Sequence, residues 1–247
     1  MKIALLGYGK MGKAIEKIAI AKGHSIVYKV SLENAFDFMP ISLENVDVAI
    51  DFSMPDAAVE NILKCFEAKV PIVVGTTGWY DQFDEIKAKC LSEGQSMVHS
   101  TNYSIGVNIF YKLNKILAKM MADLDDYDVM IEEIHHTEKK DHPSGTAITL
   151  ANQILAENQQ KTSYKGRLVY QANTPSQSLK PNELLIESKR IADVTGDHFV
   201  KYESVIDGIE IRHMAKSRYG FAKGAIMAAE WIIGKKGIYS MEDILKL

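Results

Sequence analysis

From Lys2 to about Ser100, short apolar runs alternate with segments in which apolar residues recur every three or four positions. The runs KIALLG, SIVYKV, DVAIDFS, PIVVGT and SMVHS have the length and β-branched content of buried strands. Between them, MGKAIEKIAIAK places Met11, Ile15, Ile18 and Ala19 on one face and stops at Gly23. PDAAVENILKCFEAK opens with Pro55, a residue suited to a first helical turn. This alternation predicts a parallel sheet wound right-handedly, with helices on its faces: a Rossmann-like α/β fold.

After Asn102 the pattern changes. SIGVNIFYKLNKILAKMM predicts a long helix with Val107, Phe110, Leu113, Leu117 and Met120 at helical spacing. DVMIEEIHH follows as a strand, and SGTAITLANQILAEN as a helix beginning at Ser144. The polar stretch from Gln159 to Glu183 predicts an exposed loop, or an arm that reaches a partner subunit. LLIESKRI, HFVKYESV and IEIRHMAKS read as strands, and no crossover helix fits between the last two, so their sheet is mixed or antiparallel. The chain closes with a helix, FAKGAIMAAEWIIGKK.

Charge narrows the ligand class. A net charge of −3 and a pI near 6.2 provide no general field for nucleic acid or an anionic membrane, so an acidic ligand must be met by a local basic cluster. MKIALLGYG reaches a glycine turn too soon for a signal peptide, and no apolar run approaches the roughly 18 residues of a membrane span. Cys65 and Cys90 fall in amphipathic segments and read as reduced, partly buried thiols, which points to the cytoplasm.

Three stretches carry chemistry. GYGKMG joins the first strand to the first helix. Gly7 suits the tight turn, Gly9 lets the backbone approach a pyrophosphate, and Gly12 lets the helix pack on the strand, so the turn with Tyr8, Lys10 and Met11 predicts dinucleotide binding. Ser31 and Glu33 are the candidates for the adenosine ribose, whereas Lys10 and Lys29 are near enough in sequence to meet a 2′-phosphate, so NADH and NADPH both stand. The second stretch, GTTG with Gly75, Thr76 and Thr77, follows a strand on the edge where such sheets bind ligands, as do DFS and STNYS with Ser100, Thr101, Asn102 and Tyr103. The third is IEEIHHTEKKDHPSGTA, residues 131–147. Ser144, Gly145 and Thr146 open a helix whose N–H groups and dipole suit a carboxylate, although Ser144 also suits a simple cap. His135 and His136 point to opposite faces if the strand continues through them, so one at most is a direct catalyst or ligand. Lys139 is the candidate proton donor, and Asp141 and Glu133 are placed to orient these bases. No HExxH or cysteine-rich spacing accompanies the histidines, so no metal is expected.

The residues Glu133, His135, His136, Lys139, Asp141, Pro143, Ser144, Gly145 and Thr146 resemble the E-x-H-H-x-x-K-x-D-x-P-S-G-T signature of the 4-hydroxy-tetrahydrodipicolinate reductase family, also called dihydrodipicolinate reductase. DFSMP, GTTG, STNYSIGVN and SRYGFAKGA extend the likeness over nearly the whole chain. The resemblance implies reduction of a cyclic dicarboxylate in lysine and diaminopimelate biosynthesis, NADH or NADPH as cofactor, and a homotetramer. It implies His135 as proton donor and acceptor, Lys139 as proton donor, His136 as substrate ligand, and Gly145 with Thr146 as the carboxylate clamp. It also implies a dinucleotide domain of residues 1–103 and 218–247, into which an α+β mixed-sheet domain of residues 104–217 is inserted for substrate binding and oligomerisation. The sequence departs from the family in a shorter first turn without arginine, in Ser31 where an acid is usual, in SKRIAD, which lacks glycines after its arginine, and in His142 before Pro143. Another Rossmann reductase of an amino or keto acid, and a nicotinamide-binding redox sensor, are the alternatives.

Overall fold

The computed structural model describes residues 1–169, 178–217 and 219–247. The chain forms two compact units, residues 1–108 with 218–247, and residues 109–217. The break falls at 108/109, inside a helix, rather than at the expected 103/104.

In the first unit a six-stranded parallel sheet runs β11(Gly237–Tyr239), β5(Ser96–His99), β4(Ile72–Val74), β3(Val48–Asp51), β1(Lys2–Leu6), β2(Ser25–Val30). Its inner strands β1, β3, β4 and β5 read as apolar runs because both faces are covered, whereas β2 at the edge alternates between exposed and partly covered positions. Ile3 and Leu5 of β1 pack with Ile15, Ile18 and Ala19 of α1(Lys10–Ala21) and Ala225, Ile226 and Ala229 of α6(Tyr219–Ile232). Ala4 and Leu6 point the other way, toward Ile62, Cys65 and Phe66 of α2(Pro55–Glu67) and Ile86 and Cys90 of α3(Phe83–Ser92). Both cysteines are free and buried. α6 joins this unit, and α7(Met241–Leu245) follows β11; neither β11 nor α7 is expected from the sequence, each being too short for periodicity to register.

The second unit holds a five-stranded mixed sheet in the order β10(Gly208–Met214), β9(Asp197–Glu203), β6(Asp128–His135), β8(Glu183–Arg190), β7(Ser163–Val169). β6 pairs parallel to β8 and antiparallel to β9. β7 corrects the expectation of a loop over residues 159–183. SYKGRLV pairs parallel with β8 although its exposure and polarity hide a strand period, because an edge strand needs little apolar surface. Within the same expected loop or arm, residues 170–177 lie outside the described residues.

α4(Ile105–Met121) also differs from expectation. Val107 and Phe110 are buried, but the line continues through Tyr111, Asn114, Ala118 and Met121, while Leu113 is 48% and Met120 70% exposed. The helix carries apolar residues around more than one face, and the buried stripe includes a polar residue that the apolar pattern could not select: Asn114 Nδ2 donates to Leu150 O of α5(Gly145–Glu157) at 3.1 Å.

Candidate active site

The glycine turn of the first unit is built by contact. The N–H groups of Gly7 and Tyr8 donate to Val30 O at 3.0 and 2.8 Å, tying the turn to the end of β2. Gly7 has φ +93°, and a Cβ there would lie 2.2 Å from Phe52 O; a Cβ on Gly12 would lie 2.5 Å from Gly7 O. Around Gly9 nothing among the described residues lies within 4 Å of such a Cβ, so the backbone is open to a phosphate group there. A cleft of about 440 Å³ adjoins the turn, lined among others by Gly7, Tyr8, Gly9, Ser31, Glu33 and Phe52. The residues fit a dinucleotide.

Not every predicted contact residue offers its side chain. Thr76 is buried, and its hydroxyl bonds the Asp51 carboxylate and accepts from Ser53 N. Asn61 Nδ2 also donates to Asp51, at 2.8 Å. Burial pushes the Asp51 carboxyl up, against these donors. Tyr103 is likewise committed to the core, its hydroxyl donating to Val74 O at 2.9 Å and Val98 O at 3.2 Å. Thr76 and Tyr103 therefore shape the strand ends, whereas Gly75, Thr77, Ser100, Thr101 and Asn102 are half-buried or exposed. Phe52, the middle residue of DFS, covers Gly75 so closely that a Cβ there would meet its ring at 2.3 Å.

In the second unit β6 alternates in burial, which puts Glu133 and His135 on its covered face. Register places Ser188 of β8 and His198 of β9 on either side of Glu133. Ser188 Oγ donates to Glu133 Oε1 at 2.6 Å, and the Ser144 N–H lies 3.1 Å from both carboxylate oxygens. His135 Nδ1 and His198 Nε2 stand 3.7 and 3.6 Å from Oε2. Burial alone would raise the Glu133 carboxyl, but the donors from His198, Ser144 and Ser188 outweigh it and hold the group at about 2. His135 is pushed down to about 4, first by burial, then by His198, Lys139 and Arg190, with Glu133 opposing; at neutral pH its imidazole is neutral. Glu133, His135 and His198 could also serve a metal by composition, yet both carboxylate oxygens already accept hydrogen bonds.

Ser144 caps α5, its Oγ accepting from Ala147 N at 3.2 Å and lying 3.1 Å from His198 Nε2. Ile148 N returns to Ser144 O, so Gly145 and Thr146 carry the helix-start N–H groups left over for an anion. Gly145 is exposed, and a Cβ there would meet nothing within 4 Å among the described residues. Pro143 packs on β7, where a Cβ at Gly166 would lie 2.8 Å from its Cγ. His136 is half-buried, and its Nδ1 lacks a partner among the described residues. Lys139 is ion-paired to Asp141 at 2.7 Å, and Arg190 donates to the carbonyls of Lys139 at 3.1 Å and Asp141 at 2.8 Å, bracing this turn. Glu138 and Lys140 face solvent. Sequence reasoning misses Arg190, Ser188 and His198, because only strand register brings them to residues about fifty positions or more earlier.

A glycine turn at a parallel sheet and a buried acid–base cluster beside a helix start define a nicotinamide-dependent oxidoreductase of Rossmann type. Residues 1–103 match the model of the dihydrodipicolinate reductase N-terminus, and residues 106–245 that of its C-terminus. The chain is 48% identical over 245 residues to a 4-hydroxy-tetrahydrodipicolinate reductase of Christiangramia forsetii, covering 99% of this chain and 98% of that one. It is 42% identical to one of Methanosarcina barkeri, covering 81% and 73%. The solved dipicolinate-bound dihydrodipicolinate reductase from Paenisporosarcina sp. TG-14 shares the fold at TM-score 0.78 and 20% identity, covering 99% of both chains. The chain belongs to the dihydrodipicolinate reductase family.

Proposed function

We propose that the protein reduces 4-hydroxy-tetrahydrodipicolinate with NADH to tetrahydrodipicolinate, NAD⁺ and water, consuming one proton, as a step toward diaminopimelate and lysine. The observation that carries this reading is the buried Glu133 carboxylate, which accepts from the Ser144 N–H at the start of α5 and stands 3.7 Å from Nδ1 of the neutral His135. The N–H groups of Gly145 and Thr146, with His136, hold one substrate carboxylate, and the Lys139 ammonium meets the other and supplies the proton. His135, neutral at rest, relays protons through the part of its ring that stays exposed, since its Nδ1 is buried. Bound reduced nicotinamide supplies the hydride.

NADH is favoured on local charge. Lys29, a candidate for a 2′-phosphate, is paired with Glu16 at 2.6 Å and lies over the Tyr8 ring, while Glu33 lines the cleft. The apolar stripe exposed on α4 supports self-association, with a homotetramer expected by light scattering. No helix among the described residues is long and apolar enough to cross a membrane, and two free buried thiols suit the cytoplasm.

The direct test follows reduced-nicotinamide absorbance when the purified protein meets the condensation product of pyruvate and aspartate semialdehyde, generated in situ by its synthase. Oxidation that requires both precursors is expected. No oxidation with cofactor bound would transfer the reading to another dehydrogenase.

A further inference from the structure

His198 has no place in the chemistry above, yet it is buried to 4% exposure and lies against Ser144, Glu133 and His135 of the polar cluster. Its Nε2 is 3.1 Å from Ser144 Oγ and 3.6 Å from Glu133 Oε2. Its ring stands edge-on to that of His135, with centroids 5.1 Å apart and planes at 78°. On β9 it sits directly across from Glu133, so strand register rather than a flexible loop sets its position. A buried imidazole costs desolvation unless its polar atoms are used, and here one nitrogen serves the cap of α5 while Nδ1 has no partner among the described residues. For a side chain serving packing alone, an apolar residue would fill the space without that cost.

We infer that His198 is a positioning residue: through Ser144 it sets the direction of the Gly145 and Thr146 N–H groups, and through Glu133 and ring contact it fixes the orientation of His135. The carboxylate clamp and the acid–base histidine are then aligned as one unit. Two further contacts agree. Gly196, two residues before His198, leaves space that a Cβ would take 3.0 Å from His135 Nε2, so the start of β9 is shaped around that ring. Ser188, on the other flank of Glu133, bonds Oε1 and leaves Oε2 toward the two histidines. The charged and titratable groups facing His135 are Glu133 on its own strand, His198 on β9, Arg190 on β8 and Lys139 in the turn.

This inference rests on the proposed reaction, so the test uses readouts that separate the two. His198→Leu and His198→Gln are compared with the parent protein; glutamine keeps an amide nitrogen near the place of Nε2. Expected for His198→Leu are at least a 10-fold weaker Kd for pyridine-2,6-dicarboxylate, a 10- to 100-fold fall in kcat/KM, and an acidic limb of the kcat/KM profile moved to higher pH, because one group that disfavours charge on His135 is gone. His198→Gln should restore the dicarboxylate Kd to within about threefold. NADH affinity should be unchanged in both, since its residues belong to the other unit. If His198→Leu does not fold, Ser144→Gly serves instead: glycine is tolerated as a cap but removes the hydroxyl that His198 holds. The same loss of dicarboxylate affinity is expected. A folded His198→Leu or Ser144→Gly with parental dicarboxylate Kd, or a His198→Gln no better than leucine, overturns the inference. A parent protein that oxidises no cofactor overturns the proposed reaction instead.

Discussion

At the residue scale, one buried carboxylate governs the substrate half. Glu133 is fully buried, accepts from Ser144 and Ser188 and stands beside two histidines, so Glu133→Ala strands two donors in the interior. A loss of roughly 3 kcal/mol in urea unfolding is expected. The same groups set the acid response. Glu133 is held at about 2 against an ordinary 4.5, so its contribution is complete above 4.5 and disappears as pH falls toward 2. His135 is held at about 4 against 6.5; the unfolded chain takes up that proton first, and stability falls between 6.5 and 4. Both act in one direction, so thermal melts should show Tm declining from about pH 6.5 downward and more steeply below 4.5; a flat profile to pH 4 would contradict these assignments. Lys139→Ala should reduce kcat by on the order of 10²-fold if its ammonium delivers the proton. Unchanged turnover would remove it from that role.

At the element scale, the strand ends and turns owe their shape to partners remote in sequence. Arg190, last in β8, donates to the carbonyls of Lys139 and Asp141, so it braces the turn through its backbone. Arg190→Ala is expected to raise the substrate KM about 10-fold while the NADH Kd stays constant, as measured by steady-state kinetics and fluorescence titration. In the first unit, α6 approaches so closely that a Cβ on Gly224 would lie 1.7 Å from Tyr103 O, a backbone atom that cannot yield alone. Gly224→Ala should therefore displace the helix at a cost of roughly 3 kcal/mol, lowering Tm by about 5–10 °C in calorimetry.

At the scale of the whole molecule, the charge around the glycine turn is the basis of the proposed preference for NADH. Lys29 is bound by Glu16 and Tyr8, and Glu33 puts a negative charge on the cleft wall. The kcat/KM ratio should favour NADH by about 10-fold, and Glu33→Ser should reduce that preference by raising activity with NADPH. Equal use of both cofactors by the parent protein would show that the ion pair on Lys29 opens when phosphate arrives.

Patterns local in the chain are legible in its residues. Five runs form the parallel strands β1 to β5; β1, β3, β4 and β5 are apolar because both faces are buried, while the edge strand β2 alternates between exposed and partly covered positions. GYGKMG announces its turn because only glycine accepts the backbone and contacts found at Gly7 and Gly12. Residues 131–147 announce chemistry because proton transfer and carboxylate binding need imidazole, ammonium and free N–H groups within one short reach. Register across a sheet has no trace in local sequence. SYKGRLV has the composition of a loop and becomes a strand by pairing with β8, and the buried face of α4 is hidden because several of its stripes are apolar. Ser188 and His198 look ordinary in SKRIAD and HFVKYESV; pairing with β6 places both beside Glu133. Residue type and short spacing thus indicate the apolar strands and the longer helices, though not β7, β11 or α7, and single out candidate groups for the chemistry. Which buried side chains hold those groups still is settled only in the folded chain, since it depends on hydrogen bonds between strands far apart in sequence.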